Sequence, residues 1–306
     1  MRTLDYGVIE GLSEKFSKEE NLSLFEKMCS IRAFEYNVAD VFEADFEKMP
    51  VYLSVGSEAV AAALALSYGK KNPSIFAQHR AHSYYIAFGG NLESLVDEML
   101  HRPTGCAYGM GGSASIHSPE IKMHGHDGFM GTQVPFGVGR IFAANYRDKE
   151  NKEYGLCIMG DASVEEGYVF GGLGFAAHKN HKMPILFVCE DNNLSVLTKK
   201  EVRRNWECSN LAKSLGMETI EIADNPWTIM HYANELKNNL PAFMNIHLVR
   251  ILRHVGSKSD GSPEWDRLEL TKQELKRIGL GIEAEEIERK TKRYTDNLWK
   301  RKLEEY

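Results

Sequence analysis

Residues 154–163 read Tyr-Gly-Leu-Cys-Ile-Met-Gly-Asp-Ala-Ser, and residues 184–193 read Pro-Ile-Leu-Phe-Val-Cys-Glu-Asp-Asn-Asn. Each is an apolar run of strand length, Tyr154 to Met159 and Pro184 to Cys189, that stops at acidic or amide side chains. Short apolar runs bounded by polar residues are the pattern of buried strands. A stretch of helical length, Glu165 to Asn180, lies between them. The alternation continues, with Met217 to Ile222 and Ala242 to Leu252 as strands and Leu211 to Leu215 and Trp227 to Asn238 as helices. Strand and helix in turn build a parallel sheet covered on both faces, so the fold class is α/β, doubly wound and mainly parallel.

Working outward, residues 20–47 place Leu24, Met28, Ile31, Phe34, Val38, Val41 and Phe42 three or four apart, the stripe of a long amphipathic helix. Glu58 to Ser67 is nearly all Ala, Val and Leu, which predicts a helix buried on most sides. The tail, Lys272 to Tyr306, reads as charged helix with Leu275, Ile278, Ile282 and Ile287 as a sparse apolar edge, packed on the surface or on another subunit. The middle, Gly105 to Gly139, holds nine glycines together with His117, His124 and His126. It reads either as loops whose backbone approaches a ligand or takes positive φ, or as a flexible surface loop. No repeat or linker interrupts the chain, so residues 1–306 read as one domain with an N-terminal helical extension and a C-terminal helical tail.

Composition excludes several classes. Charged residues are 26% and hydrophobic residues 43% of 306, an ordinary globular balance and not that of a disordered or fibrous chain. Lys and Arg total 37 against 43 Asp and Glu, a net charge of -6, so no positive field favours nucleic acid or an anionic membrane. No apolar run approaches the ~20 residues that span a bilayer. Met1 to Phe16 carries Asp5, Glu10 and Glu14 without a signal-like apolar stretch, so a cytoplasmic location is expected. Five cysteines, an odd number without a Cys-x-x-Cys pair, predict reduced thiols.

The chemistry gathers at strand ends. In a parallel sheet the carboxyl ends open into the crevice where ligands sit, and a following helix turns free N–H groups toward it. Gly160-Asp161-Ala162-Ser163 occupies such an end, ahead of a helix expected near Glu165. Alone, Asp161 reads equally as an N-cap of that helix. The next strand, however, ends in Glu190-Asp191-Asn192-Asn193, a second set of hard oxygen ligands at the same edge. Magnesium takes an octahedron of oxygens, a few from carboxylate and amide and the rest from phosphate and water. Asp161 and Asn192 together read as a magnesium–diphosphate clamp.

Gly-Asp followed about 30 residues later by Asn resembles the thiamin diphosphate signature. From about Asn21 to Asp260 the chain resembles, more narrowly, the alpha chain of the thiamin-dependent decarboxylating component of 2-oxoacid dehydrogenase complexes, of the pyruvate, branched-chain and acetoin types. The resemblance rests on the order and spacing of Val55-Gly56-Ser57-Glu58-Ala59, Arg80-Ala81-His82, Gly111-Gly112-Ser113, Gly131-Thr132-Gln133-Val134-Pro135 with Gly137 and Gly139, Gly160-Asp161, and Cys189-Glu190-Asp191-Asn192.

The resemblance implies a thiamin diphosphate-binding fold, with thiamin diphosphate and Mg as cofactors. Asp161, Asn192 and the carbonyl of Leu194 would ligate Mg, and Arg80 would hold the diphosphate as a planar bidentate donor. Gly160 and the backbone at Ala162 and Ser163 would approach the phosphates, and Gly128 and Met130 would touch the aminopyrimidine and bend the cofactor. His79 precedes Arg80 where the family has Tyr, and counts among the cofactor-binding positions. His82 and His254 are the candidate catalytic histidines. The implied reaction is decarboxylation of a small 2-oxo acid, with the acyl unit passed onward, optionally to a lipoyl acyltransferase. The implied partner is a beta subunit, in a heterotetramer of two alpha and two beta chains.

Departures from the family pattern are His79, Tyr52 at a usual substrate-pocket His, and Gly256 at the second His of the His-Gly-His-Ser loop. They favour the alternative of a nonoxidative carboligase or decarboxylase subunit acting in acyloin or modified-sugar synthesis. A noncatalytic structural subunit is the alternative of another class. Gly109-x-Gly111-x-x-Ala114 and Gly172-x-Gly174-x-x-Ala177 match a dinucleotide fingerprint, but neither follows a strand and opens a helix. His117, His124 and His126 lack a Cys or carboxylate at ligand spacing and read as loop residues, not a metal site.

Overall fold

The structure, a computed structural model, describes residues 3–42, 50–150 and 152–305. In chain order the elements are α1 (Lys18–Phe42), α2 (Glu58–Ser67), β1 (Ser74–Gln78), α3 (His82–Ala87), α4 (Leu92–Met99), β2 (Met123–Asp127), α5 (Gln133–Arg147), β3 (Gly155–Gly160), α6 (Gly167–Ala177) and β4 (Ile185–Asp191). There follow the two-residue strands β5 (Leu194–Ser195) and β6 (Thr198–Lys199), then α7 (Lys200–Arg203), α8 (Cys208–Ser214), β7 (Glu218–Ala223), α9 (Pro226–Leu236), β8 (Ala242–His247), α10 (Arg267–Arg277) and α11 (Gly281–Glu304).

Six strands form one parallel sheet in the order β2-β1-β3-β4-β8-β7, and β5 pairs with β6 as an antiparallel hairpin. Alternate side chains of the inner strands feed two cores. Ile75, Ala77, Leu156, Ile158, Leu186, Val188 and Met244 pack toward α1–α4 and α9–α11. Phe76, Cys157, Met159, Phe187, Cys189 and Phe243 pack toward α5, α6 and α8. Burial on both faces is why these strands read as continuous apolar runs. From β1 the chain steps outward to β2, whereas β3 leads the opposite way to β4. That reversal opens a crevice between the carboxyl ends of β1 and β3.

The doubly wound α/β class agrees with the sequence reading, and α2 agrees at both ends. The helix expected over 20–47 ends at Phe42, and residues 43–47 lie outside the described residues. The strand expected to reach Leu252 leaves the sheet at His247. Leu248, Ile251 and Leu252 are apolar because they enter the core under another loop, where Ile251 N donates to Val55 O at 3.2 Å. Helix α6 begins at Gly167, later than expected, because Asp161–Glu165 forms a 3-10 turn. The tail is two helices separated at Gly279, with α11 packed on α1 through buried Leu298 and Trp299. Ile282 departs from the predicted apolar edge, being 83% exposed.

The glycine-rich middle is more regular than a loop reading allows, since it contains β2 and the start of α5. Within it, residues 105–112 wrap around the fully buried carboxylate of Glu98. The backbone N–H groups of Ala107 and Gly109 donate to Glu98 Oε2 at 2.6 and 2.9 Å, and those of Gly111 and Gly112 to Oε1 at 2.7 and 3.0 Å. A Cβ at Gly105 would stand 2.5 Å from Glu98 Oε2, and one at Gly111 2.1 Å from Ser115 O. These two glycines admit close approach by the chain's own atoms, the Glu98 carboxylate at Gly105 and the Ser115 carbonyl at Gly111. Among the described residues no helix is long and apolar enough to cross a membrane, and the five cysteines are free.

Candidate functional site

A cavity of about 260 Å³ occupies the crevice between the ends of β1 and β3. His79 and Arg80 enter it from the end of β1, Gly160, Asp161, Ala162 and Ser163 from the end of β3, and Asn192 and Leu194 from beyond β4; Met130 and His254 line it as well. The β3–β4 register pairs Gly160 with Glu190, so Asp161 and Asn192 leave adjacent strand ends on the same edge.

Asp161 is buried and does not cap α6, which starts only at Gly167. Burial and the charge of Asp191 push its carboxyl up to about 6, against the pull of Arg203 and Arg204. Arg203 Nη2 donates to Asp161 Oδ2 at 2.6 Å, and Arg204 Nη2 to the same oxygen at 3.3 Å. Beyond β4, Asp191 Oδ1 accepts Asn193 N at 3.0 Å and Asn192 Oδ1 accepts Leu194 N at 2.9 Å. Asn193 sits at φ 64, and its Oδ1 is buried without a hydrogen-bond partner. The corner is therefore rich in carboxylate, amide and carbonyl oxygen, with one amide oxygen left unsatisfied. No cluster of three or more His, Cys, Asp or Glu suited to a metal exists among the described residues. One carboxylate with neutral oxygens fits Mg completed by phosphates and does not fit zinc.

Across the cavity, half-buried Arg80 donates from Nη1 to Leu53 O at 2.6 Å and from Nη2 to His254 O at 3.0 Å. Burial and neighbouring Arg250 draw its pKa down to about 10, so it stays charged at neutral pH. Burial, followed by the charges of Arg80, His79 and Arg250, holds His254 at about 3, a neutral imidazole. Its Nδ1 faces Arg80 Nη2 at 3.3 Å. Tyr52, His79 and His254 pack as three rings with centroids 5.2 to 5.6 Å apart.

Two predicted residues do not line the cavity. His82 is fully buried, with Nδ1 on Glu35 Oε2 at 3.0 Å and Nε2 on Ser113 Oγ at 3.0 Å. Both ring nitrogens are engaged by neighbouring side chains, and His82 stands outside the cavity lining. Ser113 in turn accepts Tyr52 N at 2.9 Å, so the chain Glu35–His82–Ser113 fixes the backbone behind the ring cluster. Gly128 also stands off the cavity wall, where its backbone bonds to the His79 ring.

Two more lining residues are Gln78, not singled out from sequence, and Glu190, read there only within the oxygen-rich end of its strand. Gln78 Oε1 accepts Ser163 Oγ at 2.5 Å, Gln133 Nε2 at 3.0 Å and Gly131 N at 3.3 Å, tying three of the converging segments together. Glu190 accepts Tyr84 OH at 2.7 Å, and burial pushes its carboxyl up to about 7. A polar residue ending an apolar run was the available signal for both, yet it carried no indication of partner.

His124 and His126 lie on strand β2 and not in the loop expected for them. His126 is buried, accepts Ile116 N at 3.0 Å on Nδ1 and donates from Nε2 to His79 O at 2.8 Å. Burial lowers its pKa from 6.5 to about 3. The unfolded chain takes up a proton there that the fold refuses, so this contribution is complete above pH 6.5 and declines as pH falls toward 3. The slope reaches about 1.4 kcal/mol per pH unit. Urea midpoints measured at pH 7 and pH 5 should fall more steeply for the native sequence than for His126→Gln; equal slopes would contradict a neutral buried His126.

The sequence model of a family described as "Dehydrogenase E1 component" matches residues 26–262. The pyruvate dehydrogenase E1 component subunit alpha-1, mitochondrial, of Oryza sativa subsp. japonica is 32% identical over 179 residues, covering 58% of this chain and 45% of that protein. The pyruvate dehydrogenase E1 component subunit alpha of Rhizobium meliloti is 30% identical over 188 residues, 61% of this chain and 53% of that one. The protein of the same name from Rickettsia prowazekii is 28% identical over 267 residues, 83% of this chain and 78% of that one. The chain thus spans about half the length of the rice and Rhizobium relatives it matches. Because that family model matches residues 26–262, well over half of the chain, this chain belongs to the dehydrogenase E1 component family.

Proposed function

We propose that this chain is the alpha subunit of a thiamin diphosphate-dependent 2-oxoacid decarboxylase or dehydrogenase that holds Mg and the cofactor diphosphate and acts with a beta subunit. The observation that carries this reading is the convergence of Arg80, Asp161, Asn192 and Leu194 on one cavity at the sheet's reversal point. Asp161, Asn192 and the Leu194 carbonyl would hold the metal, and Arg80 the diphosphate oxygens. N–H groups of the 3-10 turn at Ala162 and Ser163 add donors at the end of β3. When bound, the cofactor supplies a nucleophilic carbon and a sink for the electron pair left behind by carbon dioxide. Met130 gives the cavity an apolar wall, and neutral His254, with Nδ1 turned to Arg80, carries its proton on Nε2 for use by a 2-oxo acid. A beta chain would complete a two-plus-two heterotetramer, with a lipoyl acyltransferase as acceptor in the oxidative reading.

A second reading, nonoxidative carboligation, is favoured by the ring cluster of Tyr52 with the lining residues His79 and His254 and by Gly256, whose φ of 88 suits glycine at a position lacking any side chain to meet phosphate. Lipoyl reduction against acyloin formation, assayed with the beta chain present, separates the two. Calorimetric titration of the assembled protein with Mg and thiamin diphosphate tests what they share. Mg-dependent binding is expected; binding of neither would leave a noncatalytic structural subunit.

A further inference from the structure

One carboxylate at the end of β4 has no part in the proposed ligand set. Asp191 is 1% exposed and stands behind the cavity wall, not on it. One residue beyond the last β3–β4 pair, Gly160 with Glu190, the chain places Asp161 on one strand end and Asp191 on the next. Asp191 Oδ1 accepts Asn193 N at 3.0 Å, which closes the turn that carries Asn192 and Leu194 to the cavity.

That turn does not account for a charge. The next turn along closes in the same way on a neutral amide, with Asn192 Oδ1 accepting Leu194 N at 2.9 Å. Asparagine at position 191 would serve the backbone equally, and a buried charge costs more than a buried amide. A row of polar side chains nonetheless holds this carboxylate, on the sheet face otherwise filled by Phe187, Cys189 and Phe243. Buried His247 is its register partner on β8, with Nδ1 3.5 Å from Asp191 Oδ2 and Nε2 2.8 Å from Glu221 Oε1 on β7. Asn245 Nδ2 lies 3.4 Å from Asp191 Oδ2, and Ser209 Oγ donates to Glu221 Oε2 at 2.7 Å. Lys200 Nζ is 3.8 Å from the same Asp191 oxygen but 2.8 Å from Glu207 Oε2. Of these groups His247 alone joins two carboxylates from within the sheet, so it fixes the direction of Asp191 most firmly.

We propose that Asp191 supplies a second negative charge to the metal corner without touching the ion, and that His247 is the positioning residue that holds it there. The inference rests on the magnesium–diphosphate reading above. In the proposed ligand set Asp161 gives the ion one protein charge, whereas the Asn192 amide and the Leu194 carbonyl give none. Coulomb attraction at short range is strong where water is excluded, so a carboxylate behind the wall counts although it makes no bond. The two carboxylates already act on each other across the corner, since after burial the charge of Asp191 is the next cause of the raised carboxyl of Asp161. A dication at Asp161 turns that repulsion into attraction by both.

The test uses the full chain, with whatever subunit it assembles with, and Mn2+ and thiamin diphosphate as probes. Asp191→Asn keeps the acceptor for Asn193 N and removes only the charge. Electron paramagnetic resonance should show Mn2+ bound about tenfold more weakly, the lower end of the loss usual for a ligand's outer supports. His247→Gln should weaken Mn2+ binding about threefold in the native background and leave it unchanged in Asp191→Asn, since the ring acts through that carboxylate. Glu221→Gln, read in the same cycle, decides the matter if His247→Gln does not fold. Native Mn2+ affinity in Asp191→Asn, even with a lower melting temperature of the metal-free chain, overturns the inference and leaves Asp191 a structural residue. So does a His247→Gln effect that is absent, or equal in both backgrounds. Failure of the native assembly to bind Mn2+ with the cofactor overturns the magnesium–diphosphate reading and this inference with it.

Discussion

Replacing Asp161 with Asn should weaken Mg-dependent binding of thiamin diphosphate by more than about a hundredfold, beyond the 10–100-fold loss usual for a ligand's outer supports. Asparagine keeps the shape and one oxygen, so the loss reports charge. Asp161 is the single carboxylate in the proposed ligand set, and amide and carbonyl oxygens without it leave a dication poorly compensated. Stability should change less than the 3–5 kcal/mol of an ordinary broken buried pair. The reason is that Glu165 still accepts from both Arg203 and Arg204. Calorimetry for binding and thermal melting for folding, on the same preparation, separate the two effects. A variant that binds Mg and cofactor as the native chain does would remove Asp161 from the site.

Glu98→Ala should have the largest effect on folding. Four backbone N–H groups converge on this carboxylate in the loop 105–112, and truncation leaves them without acceptors. A stranded buried donor costs about 1–3 kcal/mol, so even with water entering the gap a loss of at least about 4 kcal/mol is expected. Urea unfolding measures it. Glu98→Gln should recover only part, because one of the two acceptor oxygens becomes an NH2 group facing N–H donors. A loss below about 1 kcal/mol in the alanine variant would mean that the loop is held by something other than Glu98.

What the sequence made legible was what burial and strand ends dictate. β3, β4, β7 and the first part of β8 stand out as apolar runs, most of them because both faces of the sheet are covered. β2 did not stand out, since an edge strand reading Met-His-Gly-His-Asp buries only Met123 and His126. β1, five residues long and ending in Gln78, has no alternation to mark it. That Asp161 and Asn192 meet at one cavity was legible, because residues directly after adjacent parallel strands share an edge. The part played by Gln78 depends on three segments distant in sequence, and no local pattern records it. For His82, two residues from Arg80, the partners Glu35 and Ser113 on its two nitrogens are likewise distant in sequence and left no local mark. Of the two readings of the glycines in 105–112, close approach fits three, but what approaches is the chain itself: Glu98 at Gly105, the backbone of His101 and Arg102 at Gly109, and Ser115 O at Gly111.

The most direct measurement is anomalous diffraction from crystals of the full chain, with whatever subunit it assembles with, grown with Mn2+ and thiamin diphosphate. A single manganese peak bonded to Asp161, Asn192 and the Leu194 carbonyl, with diphosphate oxygens on its open side and Arg80 beyond them, is the predicted result. Manganese bound at some other place while Arg203 remains on Asp161, or diphosphate bound away from the ends of β1 and β3, would contradict it.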